Sequence, residues 1–163
     1  MEKLDLNIEN LIRYYSKYKE LITLHQLMGF GDSPRSSEGF TEGLCSAIYS
    51  LKKDYPDRRE WDLIGKDGKR YEVKGTVGKN NSTSINPENR FDILIWVNIN
   101  IDNDELIFRH YHLELIQDFL KFKKYKSAKP TISLNLIPQE KSLIERYLIN
   151  IGEKSITKKE DIK

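Results

Sequence analysis

Trp61-Asp62-Leu63-Ile64-Gly65-Lys66-Asp67-Gly68-Lys69-Arg70-Tyr71-Glu72-Val73-Lys74-Gly75-Thr76 is the stretch from which the rest of the chain can be read. Residues 61–64 are short and apolar and read as a strand. Gly65-Lys66-Asp67-Gly68 supplies turn chemistry, with Asp67-Gly68 a good hairpin signal. Residues 70–74 return as the partner strand. Side chains alternate along a strand, so Glu72 and Lys74 emerge on one face while Tyr71 and Val73 point into a core. The hairpin brings Asp62 back beside Glu72. Two carboxylates and an ammonium then converge in a small volume.

Downstream, residues 75–90 form a polar loop rich in Gly, Asn and Ser. Phe91-Asp92-Ile93-Leu94-Ile95-Trp96-Val97-Asn98 is nearly continuous in apolar residues, as expected of a central strand covered on both faces. Asp102-Asn103-Asp104 turns the chain, and residues 105–111 return as a strand. Residues 112–122 read as an amphipathic helix, 131–136 as an edge strand, 138–149 as a final helix with proline at its start, and 152–163 as a frayed charged tail. Upstream, residues 7–27 read as a helix N-capped by Asn7, with Ile8, Leu11, Ile12, Tyr15, Tyr18 and Ile22 forming one buried stripe. A loop over 28–37 carries Pro34 and Arg35. A second helix runs from about residue 37 to 53, with Phe40, Leu44, Ala47, Ile48 and Leu51 as its core face and Glu38, Glu42, Cys45 and Tyr49 opposite. Helices, a meander of strands, then helix, strand and helix predict an α/β or α+β domain, a central mixed sheet flanked by helices.

The 163 residues suffice for one compact domain spanning 1–163, with a catalytic core over about 36–136. Nine Tyr, six Phe and two Trp argue against wholesale disorder. No apolar run approaches the ~18 residues that cross a bilayer, and the first residues are acidic where a signal peptide would be apolar. The single Cys45 excludes an internal disulfide and a cysteine-built zinc site. The expectation is a cytoplasmic protein with no membrane association. Net charge is only +2, from 27 basic and 25 acidic residues. The sum hides a local excess: Lys121, Lys123, Lys124, Lys126 and Lys129 follow one another with no acid among them, a footprint suited to phosphate or to a solvated loop.

Hard oxygen ligands of the Asp62/Glu72 kind suit Mg²⁺, which takes one or two carboxylates and keeps several waters. Such an ion lowers the pKa of a bound water and holds a phosphate oxygen. Lys74 could orient that water, deprotonate it, or stabilise charge developing at phosphorus. The same charges would equally serve a surface hairpin held by cross-strand ion pairs. On the second helix, Glu42 could reach the metal or its water; Glu38 is the other candidate. His110 and His112 flank Tyr111 with no third ligand in sequence, and read as packing or contact residues. Cys45, Trp61 and Trp96 read as core.

Asp62 followed by Glu72-Val73-Lys74 resembles the PD-(D/E)xK nuclease signature, with Trp61 where that family commonly has proline. Ser36-Ser37-Glu38-Gly39-Phe40-Thr41-Glu42-Gly43-Leu44 resembles the segment that opens the first catalytic helix of many type II restriction endonucleases. Ser82-Thr83-Ser84-Ile85-Asn86-Pro87-Glu88, then Phe91-Asp92-Ile93-Leu94, resembles the loop and strand that follow in those enzymes. The likeness covers roughly residues 36–98; the flanks carry none. It implies a restriction-endonuclease-like fold and a Mg²⁺-dependent, sequence-specific endonuclease acting on double-stranded DNA to leave 5′-phosphate and 3′-hydroxyl ends. Asp62, Glu72 and the Val73 carbonyl would hold the metal, with Lys74 and Glu42 assisting. Cutting both strands of a palindrome implies a homodimer, for which the 7–27 helix is one candidate contact. A cognate DNA methyltransferase would protect the cell without a stable complex. Candidate DNA contacts are Arg35, Thr76, Lys79, Asn81, Ser82, Thr83, Ser84, Asn86, Arg90, Lys123 and Lys124. The alternatives are a structure-selective nuclease such as a Holliday junction resolvase, or a DNA-binding module of this fold without catalysis.

Overall fold

A computed structural model of the chain describes residues 5–28, 38–53, 60–79, 82–85, 90–116, 131–133, 137 and 142–160. The first helix, α1 (Ile8–Leu27), starts at Asn7, whose backbone is extended and whose side-chain oxygen accepts the Asn10 N–H at 2.9 Å. Its predicted stripe is buried at Leu11, Ile12, Tyr15, Tyr18 and Ile22. The second helix, α2 (Glu38–Tyr49), departs from its expected two-sided character: Phe40, Thr41, Glu42, Gly43, Leu44 and Cys45 are all buried. The cause is close packing on two sides. A Cβ at Gly43 would meet Leu11 of α1 at 3.0 Å, and one at Gly75 would meet Thr41 of α2 at 2.6 Å. Burial pushes the Cys45 thiol pKa up, so that residue stays a protonated core side chain.

Nine strands follow: β1 (Lys52–Lys53), β2 (Leu63–Ile64), β3 (Arg70–Val77), β4 (Ser82–Ser84), β5 (Ile93–Asn100), β6 (Glu105–His112), β7 (Thr131–Ser133), β8 (Leu143–Asn150) and β9 (Ser155–Lys158) among the described residues. Seven of them form one mixed sheet in the order β1-β2-β3-β5-β6-β8-β9, and β4 pairs with β7 apart from it. Only the β3–β5 pairing is parallel; the others are antiparallel. The chain is thus an α+β protein with a mixed sheet.

Several expectations need correction. Residues 143–150 are a strand, not part of a helix over 138–149, because Tyr147 and Ile149 alternate into the core while Leu148 faces out. The tail from 152 is not frayed throughout: β9 lies in it, registered on β8 through Ile149↔Ile156. The second helix ends at Tyr49 rather than near 53; Ser50 takes a positive φ of 56° and the chain turns into β1. The 75–90 loop is shortened at its start by β3, which runs to Val77, and is interrupted by β4. Of the helix expected over 112–122, residues 113–116 form a helical turn and the remainder lies outside the described residues. The strand expected over 131–136 is described only as β7, in the separate small sheet. The hairpin turn stands as expected, although its first strand is only β2 (Leu63–Ile64) rather than 61–64: Gly68 donates to the Gly65 carbonyl at 3.0 Å with φ 79°, a conformation glycine adopts without strain.

The two faces of the sheet bury different clusters. Val73, Ile95, Val97, Ile99, Leu106 and Phe108 pack under α1 and α2. Leu94, Trp96 and Tyr111 pack on the other face with Ile85, Phe91, Ile116 and Ile137. Period-two alternation assigns each β3 residue to one of these faces: Val73 and Gly75 lie toward α2, while Glu72, Lys74 and Thr76 lie toward Leu94, Trp96 and Asn98, their registered partners.

Candidate active site

The site forms where β2 ends and β3 continues paired only with β5 among the described strands. The β2 register on β3 stops at Leu63↔Tyr71, leaving the edge of β3 beyond it without a ladder partner on that side among the described strands. Asp62 fills this gap. Its N–H donates to the Tyr71 carbonyl at 2.9 Å, although Tyr71 is already registered with Leu63. Two residues therefore oppose one, the pattern of a β-bulge, which re-aims the extra side chain. The Asp62 carboxylate turns back and accepts the Val73 N–H at 2.8 Å. Since N–H and C=O of one strand residue point to the same edge, the Val73 carbonyl faces the same side as Asp62.

Glu72 is buried, at 6% exposure, and Lys74 Nζ binds its Oε1 at 2.6 Å. Burial opposes the charge on Lys74, but Glu72 and Asp62, and Glu38 beyond them, hold its pKa above the ordinary lysine value. The Asp62 shift is also upward, but there it disfavours the charged form. Burial, then the Glu72 charge, push its pKa up to about 6 against the Val73 N–H and Lys74, with Glu42 adding to the rise. Glu42 is buried on α2 and pairs with Lys53 Nζ at 3.0 Å. So Asp62, Glu72 and Lys74 do converge, and both helix acids lie within electrostatic reach: Glu42 of Asp62, Glu38 of Lys74. No three His, Cys, Asp or Glu side chains close into a ready metal cage among the described residues.

The donor set fits a hard divalent cation. Asp62 is disfavoured as an anion because a second carboxylate crowds it in a poorly solvated place, and an added cation relieves that directly. Asp62, Glu72 and the Val73 carbonyl present oxygen only, the preference of Mg²⁺.

Other sequence candidates sit as follows. Thr76 is buried, and its hydroxyl accepts from Trp96 Nε1 at 2.7 Å and Asn98 Nδ2 at 3.0 Å, so it supports the site face from below. Lys79 is exposed in the turn after β3. Ser82, Thr83 and Ser84 line β4, Ser82 being exposed. Arg90 is exposed, with Glu60 at 3.9 Å. Arg35, Asn81, Asn86, Lys123 and Lys124 lie outside the described residues. Sequence reading missed Lys53 as the partner of Glu42, since it was assigned to a helix end. It also missed the Arg70–Asp92 fork, with Nη2–Oδ1 at 2.7 Å and Nε–Oδ2 at 2.9 Å. Asp92 further accepts the Arg70 N–H at 2.8 Å. That fork joins the starts of β3 and β5 and fixes the register under the site.

Paired acids beside a protonated amine at a sheet edge are suited to hydrolysis of a phosphodiester. Residues 4–134 match the Bsp6I restriction endonuclease family, including the N-terminal flank in which the sequence alone offered no likeness. The match spans well over half of the chain, which therefore belongs to that family and is a DNA-cutting hydrolase of the restriction endonuclease kind. No curated individual protein matches it.

Proposed function

We propose that the chain is a Mg²⁺-dependent type II restriction endonuclease of the PD-(D/E)xK kind, cutting double-stranded DNA at a specific sequence. The carrying observation is the Asp62 carboxylate aimed at the Val73 main chain beside the Glu72–Lys74 pair. Asp62, Glu72 and the Val73 carbonyl would hold the ion. Bound there, Mg²⁺ would acidify a coordinated water and carry charge on a phosphate oxygen.

Lys74 keeps its proton at neutral pH, because its pKa is raised. It therefore acts as a cation, orienting the attacking water and stabilising charge at phosphorus, rather than as a base. Glu42, fixed by Lys53, shapes the field at Asp62 from behind. Water adds to phosphorus, the bond to the 3′ oxygen breaks, and that oxygen takes a proton, leaving 5′-phosphate and 3′-hydroxyl ends. Ser82 and Thr83 on β4, with Lys79 and Arg90, are the described candidates for DNA contact.

Two strands need two such centres, so the working form is a homodimer on a two-fold axis. A methyltransferase of the same specificity would protect host DNA without forming a stable complex. Digestion of a linear plasmid of known sequence with Mg²⁺, followed by end sequencing, tests the reading. Discrete fragments sharing one sequence and bearing 5′-phosphates are expected. An uncut plasmid, alongside cleavage of a four-way junction, would favour a resolvase instead.

A further inference from the structure

The face of the sheet that carries Glu72 and Lys74 continues across the strands. Lys74 is registered with Trp96, and Trp96 with Arg109 on β6. Two strand spacings separate Lys74 from Arg109, about 10 Å between backbones. Arg146, opposite Ile107, lies on the same face. Of these three cations, Lys74 is paired with Glu72, and Arg146 with Glu105 at 3.3 Å. Arg109 has no carboxylate partner among the described residues. Its guanidinium lies over the Trp96 ring at 4.5 Å, and its Nε is buried without a hydrogen-bond partner. Burial and the nearby Arg146 charge both work against its ionised form.

An arginine held over a ring and half-buried with no anion is costly unless an anion arrives. Trp96 in turn is fixed by its bond to Thr76, two residues beyond Lys74. The planar fork is therefore pre-oriented on a rigid support, the geometry that matches phosphate oxygens and that lysine does not reproduce.

We infer that Arg109 is a phosphate-binding residue, presented by Trp96 on the catalytic face to hold a DNA backbone phosphate beside the one being cut. This rests on the nuclease reading of the same face, and its test is arranged to fail separately. Binding of a fluorescent linear duplex excised from plasmid DNA is followed by anisotropy over a range of KCl, without Mg²⁺, for wild type, Arg109→Gln, Arg109→Lys and Arg13→Gln. Arg13 is exposed on α1 and serves as a charge-matched control.

Arg109→Gln is expected to bind roughly tenfold or more weakly and to lose about one unit of slope in log K against log salt. Arg109→Lys should keep the slope and still bind more weakly; Arg13→Gln should match wild type. Folded Arg109→Gln with wild-type affinity and slope overturns the inference, as does an Arg13→Gln loss equal to that of Arg109→Gln. If Arg109→Gln does not fold, wild-type affinity in Arg109→Lys overturns it. Cleavage with Mg²⁺, assayed in parallel, addresses the nuclease reading alone: plasmid that stays whole while the Arg109 slope change appears overturns that reading and leaves the phosphate contact standing.

Discussion

At Lys74, burial and neighbouring charge oppose one another and the charge prevails, whereas at Asp62 burial and a like charge act together. Both residues therefore hold their protons more firmly than usual, with opposite effects on charge: Lys74 stays a cation, while Asp62 is disfavoured as an anion. Replacing Lys74 by Gln should lower the cleavage rate by about 10²–10³-fold, the loss typical of one charge-stabilising donor, with circular dichroism unchanged; a variant within threefold of wild type would remove Lys74 from the chemistry. For Asp62 the consequence is read in stability. Folded Asp62 holds its proton to about pH 6, the unfolded residue only to about pH 4. Between those values the folded state binds more protons, so this residue lowers stability as pH rises through that window and keeps it lowered above. The amount is on the order of 2 kcal/mol. Asp62→Asn should thus raise the metal-free melting temperature at pH 8 by about 4–8 °C and change it little at pH 4. A lower melting temperature at pH 8 would contradict burial and repulsion as the cause. The proposed ion would need the ionised carboxylate, so cleavage should also fall as pH drops through about 6.

Among the elements, β2 matters for being short: two residues of pairing leave an edge that Asp62 can occupy. The opposite wall is the α2–β3 contact. Thr41 is 1% exposed, and its hydroxyl donates to the Glu38 carbonyl at 3.1 Å, so it cannot swing away from Gly75. Gly75→Ala should push β3 off α2, cost about 1–3 kcal/mol in chemical denaturation, and reduce cleavage through the adjacent Lys74. Adding Thr41→Ala should restore much of both; no recovery in the double variant would refute the contact as the cause. The elements around this wall were legible because their patterns are clean: α1 by its three- and four-residue steps, the hairpin by Asp67-Gly68, β5 by its unbroken apolar run. β8 was not. Leu143, Ile144, Tyr147 and Leu148 also fit a helical stripe, and Glu145 masks the strand alternation by placing a carboxylate on the inner face. There it is held by the Tyr49 hydroxyl at 2.8 Å and by Lys158, partners that exist only once β8 and β9 are folded. Short polar strands such as β1, β4 and β9 carry too few apolar residues to announce themselves.

For the molecule as a whole, α1 covers one face of the sheet and leaves Tyr14, Leu21, Leu24 and Met28 exposed along its outer side at seven-, three- and four-residue steps. In the proposed homodimer a second copy would cover this stripe. If the proposed homodimer forms through α1, Leu24→Glu should give a sedimenting monomer that nicks supercoiled plasmid without linearising it; a dimer that persists in Leu24→Glu would exclude α1 as the contact. The core of the candidate site was readable from sequence because Asp62, Glu72 and Lys74 belong to one hairpin, so local register alone brings them together. Lys53, Asp92 and Arg109 reach the same region only through strand order, which spacing along the chain does not encode. The centre itself is tested most directly by calorimetric titration of Mg²⁺ into the wild type and Asp62→Asn at pH 8 and pH 5. Saturable binding by the wild type at pH 8, weakened at pH 5 and lost in Asp62→Asn, is the predicted result. Equal binding by both proteins at both pH values, or none by the wild type with DNA present, would contradict it.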